Sequence, residues 1–249
     1  MTPRILLNRL FPFADIGVET GAPEWRASPS YDRRVGAAWP TMLAGARHPL
    51  WDGIYYRVAN TDDLLHGPAG FRLRLGTVRY RYIATFPGLE GHHAADGLDP
   101  LYHLSTTALV RTRDGHYLFG RRRNGRVDLI GGGVQPDELP VAGGSDIEAN
   151  LVKEMREEAA IGADDILRMT GIGVALASTS NILIVGHADL ALSLAEARDR
   201  FETRADDEMA GLVDVPAASL EGVLSGLGDF RPLIALLGRP GQGGNGDVR

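Results

Sequence analysis

The chain has 249 residues, 44% of them hydrophobic, which is enough to bury one large core or two smaller ones. Its formal net charge of −6 argues against a nucleic-acid-binding surface, and the lack of cysteine excludes disulfides, thiolate metal sites and cysteine nucleophiles. The apolar run at the N-terminus is too short for a secretory signal, and no segment is long enough to span a membrane. We therefore expect a cytoplasmic protein without nucleic-acid or membrane partners.

The first hundred residues carry turn signals and alternating polar and apolar residues, but no catalytic motif. This alternation predicts strands, because successive side chains of a strand point to opposite faces. Strands are predicted at 54–58, 71–75 and 78–85. A short helix is predicted at 40–48, and 88–100 is interpreted as a linker because it is rich in glycine, histidine and aspartate.

From residue 104 the pattern of elements is clearer. The pair Asp114-Gly115 is typical of a hairpin, because Asp-Gly suits a turn with positive φ. Strands are predicted at 105–113, 117–122, 126–130, 181–188 and 211–215, and helices at 146–160, 193–201, near 220 and at 231–237. Ser145 and Glu148 match a capping box for the helix at 146–160, and Gly162 is predicted to end it.

The helix predicted at 146–160 carries Glu154, Glu157 and Glu158, whose spacing places them on one face. Three carboxylates so close repel one another unless a cation lies among them, and hard cations such as Mg²⁺ take oxygen ligands. A solvated acidic surface is the alternative interpretation of such a charge run. The glycines at 131–133, upstream of the helix, favour the metal site.

A strand, a glycine turn, a loop and a glutamate-rich helix together resemble the Nudix hydrolases. Their box reads G-x5-E-x7-R-E-U-x-E-E-x-G-U, with U an aliphatic residue; Gly132 and Glu138 match its first part, and 153–161 match most of the second. The resemblance implies an α/β fold, the Nudix α/β/α sandwich with a mixed sheet, over 103–238. It leaves 1–102 as an N-terminal β-rich accessory region and 239–249 as a disordered tail.

The chain departs from the Nudix box in three ways. Fourteen residues separate Glu138 from Lys153 where the family has seven, so we infer an inserted loop within 139–145. Lys153, the only lysine in the chain, replaces an arginine and offers a compact charge instead of a planar fork of donors. Ala160 replaces the glycine after the paired glutamates, and Ile130 replaces the proline often found before Gly-Gly.

The resemblance also implies a chemistry. A diphosphate linkage resists hydrolysis because its negative oxygens repel a nucleophile, and Mg²⁺ neutralises that charge and lowers the pKa of bound water. Mg²⁺, or Mn²⁺ in its place, would be held by Glu154, Glu157, Glu158 and the backbone carbonyl of Gly132. A base must take a proton from the attacking water, and the candidates are Glu157 and Glu208. Glu208 ends an acidic run whose alternative interpretation is a solvated turn.

Further residues are assigned around this centre. Lys153 is assigned a catalytic role, and Glu138 is assigned to substrate binding. Arg121 and Arg122 are assigned to the substrate as well, since guanidinium matches phosphate geometry. At most two of the arginines at 121–123 can serve, because adjacent strand residues face opposite ways. The adjacent histidines His92 and His93 are poor chelators. Four tyrosines either stack on a base or form the more common cross-strand pairs: Tyr55, Tyr56, Tyr80 and Tyr82.

Residues 48–53 and 71–82 look like the N-terminal region of the UDP-sugar diphosphatase-like Nudix proteins, and 128–132 resemble that branch's Asp-Val-Pro-Gly-Gly. This second resemblance implies a small-molecule substrate, a nucleoside diphosphate sugar cleaved to a nucleoside monophosphate and a sugar 1-phosphate. The alternative is a Nudix-fold nucleotide sensor, which Lys153 and Ala160 favour and the intact glutamates disfavour. Isopentenyl diphosphate isomerase shares the fold but uses a catalytic cysteine, which this chain lacks.

Overall fold

A computed structural model of the protein describes residues 4–46, 50–59, 71–178, 180–204, 208–227 and 231–234. The strands are β1 (Arg4–Phe11), β2 (Ile16–Thr20), β3 (Ile54–Val58), β4 (Phe71–Arg79), β5 (Tyr102–Arg111), β6 (His116–Arg122), β7 (Val127–Asp128), β8 (Ile130–Gly133), β9 (Ile166–Ser178), β10 (Asn181–Leu190) and β11 (Met209–Pro216). The helices are α1 (Pro29–Gly45), α2 (Tyr80–Ala95), α3 (Gly144–Ala159), α4 (Leu194–Phe201), α5 (Leu220–Gly226) and α6 (Arg231–Ile234).

The strands form one mixed sheet with the order β1-β9-β10-β5-β3-β4-β2, to which β8, β6, β7 and β11 attach beside β5. One edge of β5 pairs in parallel with β10 along nearly its whole length. Its other edge pairs in turn with β3 at 102–103, with β8 at 105–108 and with β6 at 110–111. The sheet therefore forks beside β5, and the candidate site lies at this fork.

Apolar side chains fill both faces of the sheet. On one face the largest core cluster includes Ile147, Leu151 and Met155 of α3, and on the other a second cluster includes Leu220 and Leu224 of α5. These large side chains are almost fully buried, and each contributes about 1.5–3 kcal/mol by leaving water. Helices on both faces of a mixed sheet confirm the predicted α/β/α fold class. No helix in the described part of the chain is long and apolar enough to cross a membrane.

Helix α3 begins earlier than predicted and is capped differently. The Asp146 carboxylate accepts hydrogen bonds from the backbone N–H groups of Ala142 (2.7 Å) and Gly143 (2.9 Å). Ser145 already lies inside the first turn, so the predicted capping box of Ser145 and Glu148 is wrong. The helix ends before Gly162, because Ala160 takes the left-handed conformation with φ of +54°. For a residue with a Cβ this conformation costs about 1–2 kcal/mol.

The strand predicted at 78–85 is wrong beyond Arg79, where β4 ends and α2 begins. The side chains of Tyr82, Ile83 and Phe86 pack into a third core cluster that includes Trp25, and this burial favours helix over the local alternation. The predicted linker at 88–100 is likewise wrong as far as Ala95, since α2 continues to that residue. The helix predicted at 40–48 is the C-terminal end of the longer α1, which ends at Gly45; residues 47 and 48 lie outside the described residues.

The remaining elements follow the sequence closely. The predicted strands at 54–58, 71–75, 105–113, 117–122, 181–188 and 211–215 are confirmed within a few residues at their ends, as is the helix at 193–201. The predicted strand at 126–130 is two short strands, β7 and β8, and the turn at Asp114-Gly115 has the expected positive φ of +85° at the glycine. Only 231–234 of the last predicted helix is described, and the tail 239–249 lies outside the described residues.

Candidate active site

A cavity of about 390 Å³ lies at the fork of the sheet, between the glycines of β8 and the glutamate face of α3. Eight of the nine residues predicted for the site line it: Arg122, Gly132, Glu138, Lys153, Glu154, Glu157, Glu158 and Glu208. The ninth, Arg121, is exposed and does not line the cavity, as expected for a neighbour of Arg122 on the same strand.

The glycines of β8 let α3 approach the sheet closely. A Cβ at Gly132 would overlap the Glu154 carboxylate, within 2.7 Å of its Cδ atom, so only glycine leaves room for this side chain. The next buried carboxylate, Glu158, accepts a hydrogen bond from the Gly131 backbone N–H at 2.9 Å. Two carboxylates of the helix thus lie directly against the backbone of one strand.

Lys153 is the internal counter-ion of the glutamate face. Its Nζ lies 2.6 Å from Glu138 Oε2, 3.1 Å from Glu154 Oε1 and 3.2 Å from Glu157 Oε2. Burial lowers the pKa of Lys153, but the hydrogen bond to Glu138 and the charge of Glu154 outweigh it, so the pKa is raised overall. The ammonium group is therefore charged, and it occupies a position among three of the site's carboxylates.

Arg122, which also lines the cavity, is a second counter-ion of its carboxylates. Its Nη1 donates to Glu208 Oε2 at 2.6 Å, its Nε donates to Asp128 Oδ2 at 3.1 Å, and its Nη2 lies 3.7 Å from Glu158 Oε1. This arginine joins the strand of the site, the glutamate helix and the segment before β11. It brings Glu208, which is 86 residues away in sequence, into the site.

Burial dominates the titration of the two inner carboxylates. It raises the pKa of Glu158 to about 8, although the Gly131 N–H and the charge of Arg122 act in the opposite direction. Burial also raises the pKa of Glu154, although Lys153 opposes this shift. A cation bound beside these two carboxylates would act against burial and favour their ionised forms.

The carboxylate and carbonyl oxygens that line the cavity are the kind of metal ligand that hard divalent cations prefer. Among the described residues, no group of three His, Asp or Glu side chains converges closely enough to hold a metal ion as it stands. The carboxylates of the cavity are instead paired with Lys153 and Arg122. Glu154, Glu157, Glu158 and the Gly132 carbonyl fit a hard cation by their chemistry, provided that Lys153 shifts within the cluster.

Several residues of the cavity were missed from the sequence: Trp51, His103, Ser105 and Gln135. His103 and Ser105 share a face of β5, and only the register with β8 shows that this face opens into the cavity. His103 donates from Nδ1 to the Ser180 carbonyl at 2.6 Å, and burial lowers its pKa to about 4, so the ring is neutral at pH 7. Its Nε2 is then a hydrogen-bond acceptor.

The tyrosines and paired histidines divide between the site and the core. Tyr55 and Tyr80 line the cavity, whereas the Tyr56 hydroxyl accepts from the Val141 N–H at 3.1 Å. That bond attaches the loop predicted as an insertion to β3. Tyr82 donates to Asp32 at 2.6 Å, and His93 is buried with its Nε2 donating to the Asp99 carbonyl at 3.0 Å. His93 therefore uses this ring nitrogen in a hydrogen bond within the fold.

No protein-family model matches the sequence, and no curated protein is significantly similar to it. Among solved structures, a NUDIX hydrolase from Nitrosomonas europaea is similar with 12% identity and a TM-score of 0.36, covering 54% of this chain and 85% of that chain. A NUDIX-family hydrolase from Clostridium perfringens is similar with 16% identity and a TM-score of 0.35, covering 54% and 97%.

The NUDIX domain of Shewanella oneidensis NrtR, solved in complex with ADP ribose, is similar with 15% identity and a TM-score of 0.33, covering 53% of this chain and 85% of that chain. At these identities and TM-scores the likeness concerns the fold, and it does not extend to the activities or ligands of those proteins.

Proposed function

We propose that the protein is a Mg²⁺-dependent hydrolase of the diphosphate linkage in a nucleoside diphosphate joined to a second group. The proposed substrate is a nucleoside diphosphate sugar, and the products are a nucleoside monophosphate and a sugar 1-phosphate. The observation that carries the proposal is the packing of Glu154 and Glu158 against the β8 backbone, with Glu157 beside them in the same cavity. A cavity lined by several carboxylates and a backbone carbonyl fits a metal-bound diphosphate, because hard divalent cations prefer oxygen ligands.

The position of each residue in the cavity suggests its role in the proposed reaction. When bound, the cation supplies charge neutralisation and a lowered pKa for its water. Glu154, Glu158 and the Gly132 carbonyl hold it, while Lys153 keeps Glu138, Glu154 and Glu157 together. Arg122 also lines the cavity, and its guanidinium would contact phosphate oxygens.

Two carboxylates compete for the role of general base. Glu157 is the more exposed of the helix glutamates in the site, so its carboxylate reaches the solvent-filled part of the cavity. Both carboxylates are paired with a cation, but Glu208 lies 2.6 Å from Arg122 while Glu157 lies 3.2 Å from Lys153, so the closer pair of Glu208 must open before it can accept a proton. We therefore assign the base to Glu157, with Glu208 as the second candidate.

The test is hydrolysis of UDP-, ADP-, GDP- and CDP-sugars with Mg²⁺ by the wild type, Glu157→Gln and Glu208→Gln. We expect Glu157→Gln to lower kcat by a factor of about 10²–10⁴ with an unchanged melting temperature. Glu148→Gln is the matched control, because Glu148 lies on the same helix but does not line this cavity. Full activity of Glu157→Gln would refute its role, and inactivity of the wild type on every substrate would refute the hydrolase.

A nucleotide sensor of the same fold is the second candidate, and the position of Lys153 favours it. The ammonium group already contacts three carboxylates, so the acidic cluster is partly neutralised without a metal ion. A sensor would bind nucleoside diphosphate derivatives, measurably by calorimetry, without hydrolysing them in Mg²⁺ or Mn²⁺. A hydrolase would release monophosphate under the same conditions.

A further inference from the structure

An exposed tryptophan stands at the mouth of the candidate active site. Trp51 is 54% exposed and lines the cavity, whereas the other exposed large apolar side chains of the described residues, Leu10, Leu43 and Leu167, do not line it. An indole left in water at the entrance of a polar cavity can bury its face only against something that enters. Its position therefore points to a ligand with a flat apolar surface.

The indole is held in place by its own segment. Its ring lies over Gly53, where a Cβ would come within 2.6 Å of the ring atom Cη2 and 2.7 Å of Cζ3. Asp52 accepts a hydrogen bond from the Arg81 N–H at 3.0 Å, and the Gly53 carbonyl accepts from the Tyr80 N–H at 2.8 Å. Both bonds attach the segment to the first turn of α2, which otherwise has no side-chain cap.

Two further aromatic rings line the cavity. Tyr55 and Tyr80 lie with their centroids 5.3 Å apart and their planes inclined by 32°. The glutamates and the glycine strand form the rest of the lining, together with Gln135, whose buried side-chain oxygen has no hydrogen-bond partner among the described residues. The cavity thus joins an aromatic wall to an acidic, oxygen-rich floor.

We propose that Trp51 is the stacking platform for the nucleobase of the substrate. The inference rests on the proposed function, since it takes the diphosphate to lie with its cation on the acidic floor. A nucleoside diphosphate has the matching two parts, a charged diphosphate and a planar base. Bases stack on aromatic side chains with a gain that corresponds to an affinity change of about 5- to 150-fold. The platform comes from the N-terminal region, which would thereby take part in substrate selection.

The test is quenching of tryptophan fluorescence by uridine monophosphate and adenosine monophosphate, with glucose 1-phosphate and inorganic phosphate as ligands without a base. We expect the nucleotides to quench the wild type and Trp39→Phe, and not Trp51→Phe, because Trp25 and Trp39 do not line the cavity. Quenching by glucose 1-phosphate but not by the nucleotides would overturn the proposal, because it would place the sugar on the indole.

Kinetics provide the second measurement. Trp51→Ala should raise KM for the best nucleoside diphosphate sugar about 10-fold and leave kcat within about 3-fold, and Trp51→Phe should recover part of the loss. Leu167→Ala is the matched control for loss of an exposed apolar side chain. If Trp51→Ala has the same KM as the wild type, the stacking proposal is overturned, while the proposed hydrolase function still stands. If nucleotides quench the fluorescence through Trp51 but the protein hydrolyses none of the substrates, stacking is supported and only the proposed activity is refuted.

Discussion

Removal of the ammonium group by Lys153→Met tests whether this residue acts as the counter-ion of the glutamate face. Its side chain is 19% exposed, and its partners differ, since Glu154 is 12% exposed while Glu138 and Glu157 are 36% and 37% exposed. Breaking a buried pair costs about 3–5 kcal/mol, whereas pairs open to solvent contribute about 0–1 kcal/mol. Only one of the three pairs is well buried, and Glu154 can take up a proton, so we expect a loss of about 2–3 kcal/mol.

The assay is thermal unfolding in EDTA and in saturating Mg²⁺. A chain of this size loses about 2–4 °C of melting temperature per kcal/mol, so Lys153→Met should melt about 4–12 °C below the wild type in EDTA. Mg²⁺ should narrow this gap, because the divalent ion replaces the missing charge and binds only the folded site.

Two variants control the interpretation of this result. Lys153→Arg keeps the charge and should melt near the wild type in EDTA. Arg168→Met removes an exposed ion pair with Asp189 and should cost less than about 1 kcal/mol. The counter-ion role is refuted if Lys153→Met has the same melting temperature as the wild type in EDTA. It is also refuted if Mg²⁺ leaves the difference between the two melting temperatures unchanged.

Three further variants test local features of the fold and site. Gly132→Ala should displace the Glu154 carboxylate and lower kcat at least about 10-fold, whereas Gly211→Ala, where a Cβ has open space, should leave kcat unchanged in the same assay. Ala160→Gly should raise the free energy of unfolding by about 1 kcal/mol in urea titrations, since glycine adopts the left-handed conformation without strain. His187→Gln should reduce the loss of stability between pH 6.5 and pH 4, measured by urea unfolding at both pH values.

The sign of the last effect follows from the pKa of His187. Burial lowers the pKa to about 4 in the folded protein, although Asp189 acts in the opposite direction, while the unfolded chain titrates near 6.5. The folded state therefore binds fewer protons across this range, and its contribution to stability is present above pH 6.5 and is lost as the pH falls toward 4. An unchanged pH dependence in His187→Gln would contradict this assignment. A destabilising Ala160→Gly would likewise show that the φ of +54° is not a source of strain.

The elements that could be predicted are those whose signal is local. The spacing of Glu154, Glu157 and Glu158 places them on one face of any helix, and Asp114-Gly115 specifies its turn without help from distant residues. Tyr80 shows the limit of local reasoning, because the alternation of arginine and tyrosine around it is compatible with a strand. The helix wins because Tyr82, Ile83 and Phe86 pack against Trp25 and Tyr31, and such packing joins residues far apart in sequence.

The sequence by itself determined the acidic helix face, the glycine strand and the position of the single lysine, because each depends on residues close together in the chain. The α/β class was predicted from the resemblance that these residues carry. Only the tertiary structure decided that Lys153 contacts Glu138 across the predicted insertion, that Arg122 carries Glu208 into the site and that Trp51 stands at its mouth. These contacts depend on how the sheet forks beside β5, and local sequence patterns do not specify which distant segments pair as strands.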